Sequence, residues 1–145
     1  MEYILRNYKN VDYDFVYQLK KQAYKKYVIE YWGEWNEENQ QEFFDEYIKN
    51  QAPFIKIIVF NNKDIGFFDA NIKEGVYEIN NICIGEEYRG NGLGTQILKD
   101  AIEKHKNCDI KLQFFKSNRV GNLYKRLGFK IIGETKTHFQ MLKKR

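Results

Sequence analysis

One proline and two cysteines in 145 residues set the first limits on this chain. With no proline-rich stretch and no Gly/Ser tract, nothing marks a linker, so residues 1–145 are expected to form a single domain. Cys83 and Cys108 are too few and too far apart for a disulfide framework or a metal-binding spacing. Both are read as buried free thiols, and no metal is implied. No apolar run approaches the length of a membrane span. Residues 1–9 mix charged and apolar side chains, unlike a secretory leader. The expectation is a cytoplasmic protein with no membrane partner. Charge of one sign is also scarce. The net charge is +4 and its only cluster is Lys143-Lys144-Arg145, read as a solvated tail. That argues against a nucleic-acid partner, while a mild positive balance suits a small polyanion. There is no internal repeat and no low-complexity segment.

Hydrophobic residues make up 43% and aromatics 17%, enough for a real core. A first strand is expected near residues 3–6. Phe15, Leu19, Ala23 and Tyr27 recur at helical spacing, which predicts a helix over 12–30 followed by a loop over 31–35. Asn36 is a candidate cap for a second helix, with Phe43, Phe44, Tyr47 and Ile48 as its buried face and Pro53 as its stop. The period then changes. Strands are predicted over 54–60, 65–72 and 76–84, separated by turns at Asn61–Asp64 and Lys73–Gly75. A helix over 92–106, a strand over 109–115, a short helix over 118–127 ended by Gly128, and strands near 131–132 and 139–142 complete the chain. The order is β-α-α-β-β-β-α-β-α-β-β, an α+β arrangement whose strand–helix–strand unit calls for a parallel pair.

Three of the ten glycines fall in five residues, at Gly90, Gly92 and Gly94, between a strand and a helix. A glycine-rich turn that feeds a helix N-terminus presents backbone amides and a positive dipole end, which is an anion site. Arg89 adds a cation. The dinucleotide fingerprint G-x-G-x-x-G fails because position 95 is Thr, and the phosphate loop ending in Gly-Lys fails because the chain has no Gly-Lys pair. The run Arg89-Gly90-Asn91-Gly92-Leu93-Gly94 does match Arg/Gln-x-x-Gly-x-Gly/Ala.

That pattern resembles the pyrophosphate loop of the GNAT superfamily of acetyl-CoA-dependent N-acetyltransferases. Residues 82–98 resemble the family's central strand, loop and helix. Residues 118–129, with Asn118, Tyr124 and Gly128-Phe129, resemble its second motif, and residues 3–6 its first strand. One departure is Glu86, where the family commonly has proline. The resemblance implies a GNAT fold, with a mixed sheet of about seven strands flanked by about four helices. It implies acetyl-CoA as cofactor and a primary amine as acceptor, a small molecule rather than a protein. Direct transfer in a ternary complex is expected because no cysteine is placed to carry the acetyl group; many members of the family dimerise, so a homodimer is one arrangement the resemblance leaves open. The cofactor-binding residues it implies are Ile82, Cys83, Ile84, Arg89, Gly90, Asn91, Gly92, Leu93, Gly94, Thr95, Asn118 and Tyr124. Backbone amides near Cys83 and Ile84, on a strand expected to bulge and splay from residues 109–115, polarise the thioester carbonyl.

Two catalytic residues follow from the same resemblance. Tyr124 is the general acid toward the leaving thiolate, and Glu78 the base, directly or through an ordered water shared with Asn80. Glu78, Asn80, Ile82 and Ile84 share one face of the strand. Tyr27, Tyr31, Trp32, Glu34, Trp35 and Asn80 are acceptor-pocket candidates, since aromatics with carboxylates suit a cation. The same tryptophans also suit packing at a helix–helix corner. His138 is read as structural or as a pocket rim, and His105 as a partner of a helix C-terminus. Two other functions stay open on the sequence: a non-catalytic acyl-CoA sensor, which needs the glycine loop but not Tyr124, and a protein N-terminal or lysine acetyltransferase.

Overall fold

A computed structural model describes residues 2–145. The chain runs β1 (Ile4–Asn7), α1 (Tyr13–Trp32), α2 (Glu37–Gln51), β2 (Ile55–Phe60), β3 (Lys63–Lys73), β4 (Val76–Ile84), α3 (Leu93–Lys104), β5 (Asp109–Phe115), α4 (Gly121–Arg126), β6 (Lys130–Glu134) and β7 (His138–Lys143). Single 3₁₀ turns, which the sequence pattern did not reveal, stand at Asn10–Asp12, Ala52–Phe54 and Glu86–Tyr88. The strands form one mixed sheet in the order β1-β2-β3-β4-β5-β7-β6. This is the expected α+β architecture in the expected element order. Among the described residues no helix is long and apolar enough to cross a membrane. Two compact units are distinguishable: the chain through Asp69 with Asn81–Asn91, and Ala70–Asn80 with Gly92–Arg145.

In the first unit β1 pairs antiparallel with β2, from Ile4 opposite Val59 to Asn7 opposite Lys56. β2 pairs antiparallel with β3, with an irregularity between Ile58 and Val59. Asn61 and Asn62 join those strands with φ of 52° and 62°, the left-handed pair of a two-residue hairpin turn. β3 therefore begins at Lys63, two residues before its apolar run. α1 runs past residue 30 and takes Tyr31 and Trp32 into its last turn. Its stop is Gly33, at φ 91°, whose N–H donates to the Ile29 carbonyl at 2.8 Å. Asn36 caps α2 as expected, its Oδ1 accepting from Asn39 N–H at 2.9 Å. The expected buried face of α2 needs correction. Phe44 is buried, but Phe43 is 67% exposed, because neighbouring helix residues point about 100° apart. Phe44 packs with Val16, Leu19, Ile55, Ile57 and Phe67, and the rings of Tyr13 and Tyr17 meet it edge-on at 5.0 Å.

In the second unit Glu74 and Gly75, at φ 52° and 80°, turn β3 into β4. β4 pairs in parallel with β5 from Val76 opposite Asp109 to Glu78 opposite Lys111. β5 pairs antiparallel with β7 along its length, and β7 with β6. Leu93, Ile97 and Leu98 form the buried stripe of α3. His105 ends that helix. Its ring lies stacked on Tyr77 with centroids 3.6 Å apart, and its Nδ1 is 2.9 Å from the Ala101 carbonyl.

Candidate functional site

β4 alternates as a strand with one buried face should. Tyr77, Ile79 and Cys83 are buried, whereas Glu78, Ile82 and Ile84 are partly exposed and Asn80 is exposed. A carboxylate at Glu78 is therefore no anomaly of burial. Asn80 donates from Nδ2 to Asn71 Oδ1 at 2.9 Å. The ladder to β5 covers only three residues of β4 and ends at Glu78, although β5 stays paired to β7 through Phe115.

Around Cys83 the backbone is tightly constrained. A Cβ placed on Gly66 of β3 would sit less than 3.0 Å from the Cys83 carbonyl oxygen and 3.1 Å from Ile84 Cα. In a regular ladder carbonyls point between strands and Cβ atoms point out of the sheet. The contact marks a close approach of β3 and β4 beside an irregularity in β3, where Ile65 is left without a partner on β2 between Gly66 and Asp64. The Cys83 side chain is 3% exposed. Burial pushes its thiol up to about 11, against the pull of Lys20, so it is a poor nucleophile.

Beyond β4 the backbone enters the glycine loop. Gly85 N–H donates to the Ile65 carbonyl at 2.8 Å, and Arg89 Nε donates to the Ile84 carbonyl at 2.7 Å. Arg89 thus spends one donor closing the strand end, a role not legible in the sequence. Gly90 and Gly92 both lie in the left-handed region, at φ 81° and 85°, where an L side chain costs about 1–2 kcal/mol. Gly92 is the N-cap of α3 and has no side chain to bond the helix start. Gln96 N–H donates to the Gly92 carbonyl at 3.0 Å, so the amides of Gly94 and Thr95 precede the intrahelical ladder. A helix start after two left-handed glycines and an arginine fits a pyrophosphate group. Asn91 is exposed and Leu93 buried.

Tyr124 lies on α4 and is 7% exposed, its ring held edge-on to Phe114 at 5.8 Å and to Phe129 at 6.0 Å. The helix ends as Gly128 predicts. Gly128 stands at φ 99°, its N–H bonds the Lys125 carbonyl, and Phe129 N–H bonds the Tyr124 carbonyl. That double closure with its Phe129–Tyr124 contact is a Schellman ending. Asn118 is not the helix cap that its position suggests. Its Oδ1 accepts from Val120 N–H at 3.0 Å, and α4 begins only at Gly121. Gly121 is fixed by packing, since a Cβ there would meet the Phe114 ring at 2.6 Å. A concave surface of about 240 Å³ includes Asn118, Arg119, Gly121, Lys125 and Phe139.

The acceptor candidates separate. Trp35 packs against the first unit's core, and its Nε1–H donates to Glu37 at 2.6 Å. Hydrogen bonds from Lys21, Trp35 and Tyr17 hold the Glu37 carboxyl down at about 2. Trp35 is a corner-packing residue. Trp32 is 59% exposed with Tyr31 edge-on to it at 6.1 Å, Glu34 is exposed and Tyr27 is buried. His138 is partly buried against Phe115, 4.2 Å between ring centroids, and burial lowers its pKa. Ile82–Ile84, Arg89, Gly90, Asn91, Tyr31, Trp32, Glu34 and Trp35 belong to the first unit, and Glu78, Asn80, Gly92–Thr95, Asn118 and Tyr124 to the second.

Comparison with known proteins agrees with this geometry. An uncharacterised N-acetyltransferase of Methanocaldococcus jannaschii is 28% identical over 158 residues, covering 98% of this chain and 67% of that protein. A putative [ribosomal protein bS18]-alanine N-acetyltransferase of Bacillus subtilis is 26% identical over 139 residues, covering 93% and 85%. The crystal structure of PaiA N-acetyltransferase from Thermoplasma acidophilum, in complex with coenzyme A, superposes with a TM-score of 0.76 at 20% identity over 100% of both chains, and so shares the fold. The model of the Acetyltransferase (GNAT) family matches residues 14–129. The chain belongs to that family and is an N-acetyltransferase.

Proposed function

We propose that residues 1–145 act as one domain that transfers the acetyl group of acetyl-CoA to a primary amine of a small molecule, by direct attack in a ternary complex. The observation that carries this is the loop from Arg89 to Thr95: two left-handed glycines and an arginine before a helix start. When bound, acetyl-CoA supplies the thioester carbon that the amine attacks. The amides of Gly94 and Thr95, with the bare backbone of Gly90 and Gly92, hold the pyrophosphate. Asn118 keeps its side-chain N–H groups for the pantetheine arm, its oxygen being spent on Val120. The backbone of Ile82–Ile84 supplies amides to the carbonyl oxygen, where charge grows as the new N–C bond forms.

An alkylammonium has a pKa of about 10 and must lose a proton before it attacks. Glu78 takes that proton, directly or through a water shared with Asn80. Tyr124 returns a proton to sulfur as the C–S bond breaks. Its ring, wedged between Phe114 and Phe129, aims the hydroxyl at little entropic cost. Cys83 does not carry the acetyl group, because its buried thiol stays protonated at neutral pH.

A second reading has one observation behind it. The B. subtilis relative is named as a putative alanine N-acetyltransferase of ribosomal protein bS18, which favours a protein amine as acceptor. Release of CoA thiol should be measured across polyamines, amino acids, aminoglycosides and peptides with free N-termini, alanine first among them. Turnover with small amines supports the first reading, and turnover confined to peptides replaces it with the second. Tyr124→Phe should lower kcat on the order of 100-fold with little change in the KM for acetyl-CoA. Acetyl-CoA binding without turnover of any amine would make the protein an acyl-CoA sensor.

A further inference from the structure

The first unit buries a polar cluster that the mechanism above does not use. Asp69 of β3 is fully buried. It accepts from Tyr47 Oη at 2.6 Å, from Gln51 Nε2 at 3.0 Å and from Asn81 Nδ2 at 3.4 Å. Asn81 of β4 is the hub. Its Oδ1 accepts from Tyr24 Oη at 2.9 Å, and its Nδ2 also reaches Tyr47 Oη at 3.1 Å. Lys20 lies over the Tyr47 ring at 4.4 Å and the Tyr24 ring at 5.2 Å; burial lowers its pKa, and the nearby Asp69 carboxylate opposes that shift. One side chain of β4 is thus tied to α1 through Tyr24, to α2 through Tyr47 and to β3 through Asp69.

Stability alone does not call for this arrangement. An apolar trio of similar volume in the same place would be neutral or better, because burying a carboxylate costs more than its partners commonly return. What hydrogen bonds add is direction: a fully satisfied network admits one geometry, where an apolar contact admits several. The place is informative as well. Asn81 immediately precedes residues 82–84, whose backbone crowds Gly66. There β4 has no ladder to β5 to hold it, since that ladder ends at Glu78.

We infer that Asn81 is a positioning residue for acetyl transfer: through Tyr24, Tyr47 and Asp69 it fixes the β4 peptides that meet the thioester carbonyl. The inference rests on the proposed role of Ile82–Ile84. Asn81→Leu keeps the volume and removes every hydrogen bond. Misplacing oxyanion donors by a fraction of an ångström costs rate rather than cofactor affinity. Asn81→Leu should therefore lower kcat per folded enzyme about 10- to 100-fold while the Kd for CoA stays within about threefold. Tyr24→Phe, which deletes one of the hub's bonds, should show the same split more mildly. Asn81→Leu combined with Tyr47→Phe should be no slower than the worse single variant, because both disable one network.

Circular dichroism and calorimetric titration with CoA establish that each variant is folded and competent. If Asn81→Leu does not fold, Tyr24→Phe decides. Unchanged kcat in the folded variants, or kcat and CoA affinity falling together, overturns the inference. A wild-type protein that binds CoA and acetylates no amine fails the proposed function instead, and is recognised before any variant is made.

Discussion

Gly66→Ala is the sharpest test of how the central strand is built. A Cβ at that position would lie less than 3.0 Å from the Cys83 carbonyl oxygen and 3.1 Å from Ile84 Cα, whereas ordinary carbon–oxygen contacts begin near 3.3 Å. Both obstructing atoms are backbone, so no rotamer change relieves the clash, and β3 and β4 must separate locally by several tenths of an ångström. Gly66 also lies between Ile65, whose carbonyl accepts from Gly85 N–H, and Phe67, which is fully buried. Separation there loosens a hydrogen bond and a packed ring together. Overpacking of this kind costs about 1–3 kcal/mol, and backbone obstruction places it at the upper end. For a chain of this length about 3 kcal/mol lowers Tm by roughly 10 °C. Gly33→Ala is the matched control: it bears a left-handed φ of 91° but meets nothing within 4 Å, so it should cost only about 1 kcal/mol. Scanning calorimetry of both variants reads the difference. Gly66→Ala within about 3 °C of wild type would refute the close approach of the two strands.

Gly92→Ala places a side chain at φ 85° and should weaken CoA binding about tenfold by titration calorimetry; unchanged affinity would remove the loop from the site. Asp12 is held below the usual carboxylate range chiefly by its hydrogen bonds to Arg6, against the opposing effect of burial. A depressed folded-state pKa stabilises above the unfolded value of about 4 and is lost as pH falls through the folded value. Asp12→Asn should thus cost about 2 kcal/mol at pH 7 in urea unfolding, with the gap to wild type closing below pH ~4; a gap constant with pH would contradict the ion pair. Cys83, with its thiol pushed up to about 11, should resist iodoacetamide at pH 7.5 in the native state while the partly exposed Cys108 reacts, and Cys83→Ala should retain turnover; loss of turnover would revive a covalent route.

The legible part of the molecule is the part with a local cause. Strands β2 to β4 were readable because the apolar runs are punctuated by Asn61-Asn62 and Glu74-Gly75, which take the left-handed φ values that two-residue turns require. The end of α4 was readable from Gly128, and the cofactor loop from its alternating glycines. Errors appear where two local signals compete. Asn118 has the chemistry of a helix cap, yet it makes its bond two residues on, within a turn, and the helix starts later. Phe43 and Phe44 look like one apolar pair, but a helix face admits only one of them. The polar cluster left almost no trace. Its bonds join residues 12 to 57 positions apart in the chain, and its local clue is Asp69 set directly after the run Ile65-Gly66-Phe67-Phe68.

That cluster also bears on which carboxylate serves chemistry. Asp69 and Glu78 stand on neighbouring strands of the sheet, and either could be nominated as a base by residue type. Asp69 is fully buried and its oxygens are met by three donors. Those bonds engage both of its oxygens and hold the carboxylate in one geometry, out of reach of an acceptor. Glu78 sits on the half-exposed face of β4, at the last residue of the ladder to β5, and makes no ion pair or side-chain hydrogen bond among the described residues. That half-exposed position fits the base role proposed for Glu78. The two acids thus suit different tasks: Asp69 is locked by its hydrogen bonds and fits the positioning network we infer, while Glu78 is the one we propose to meet the amine's proton.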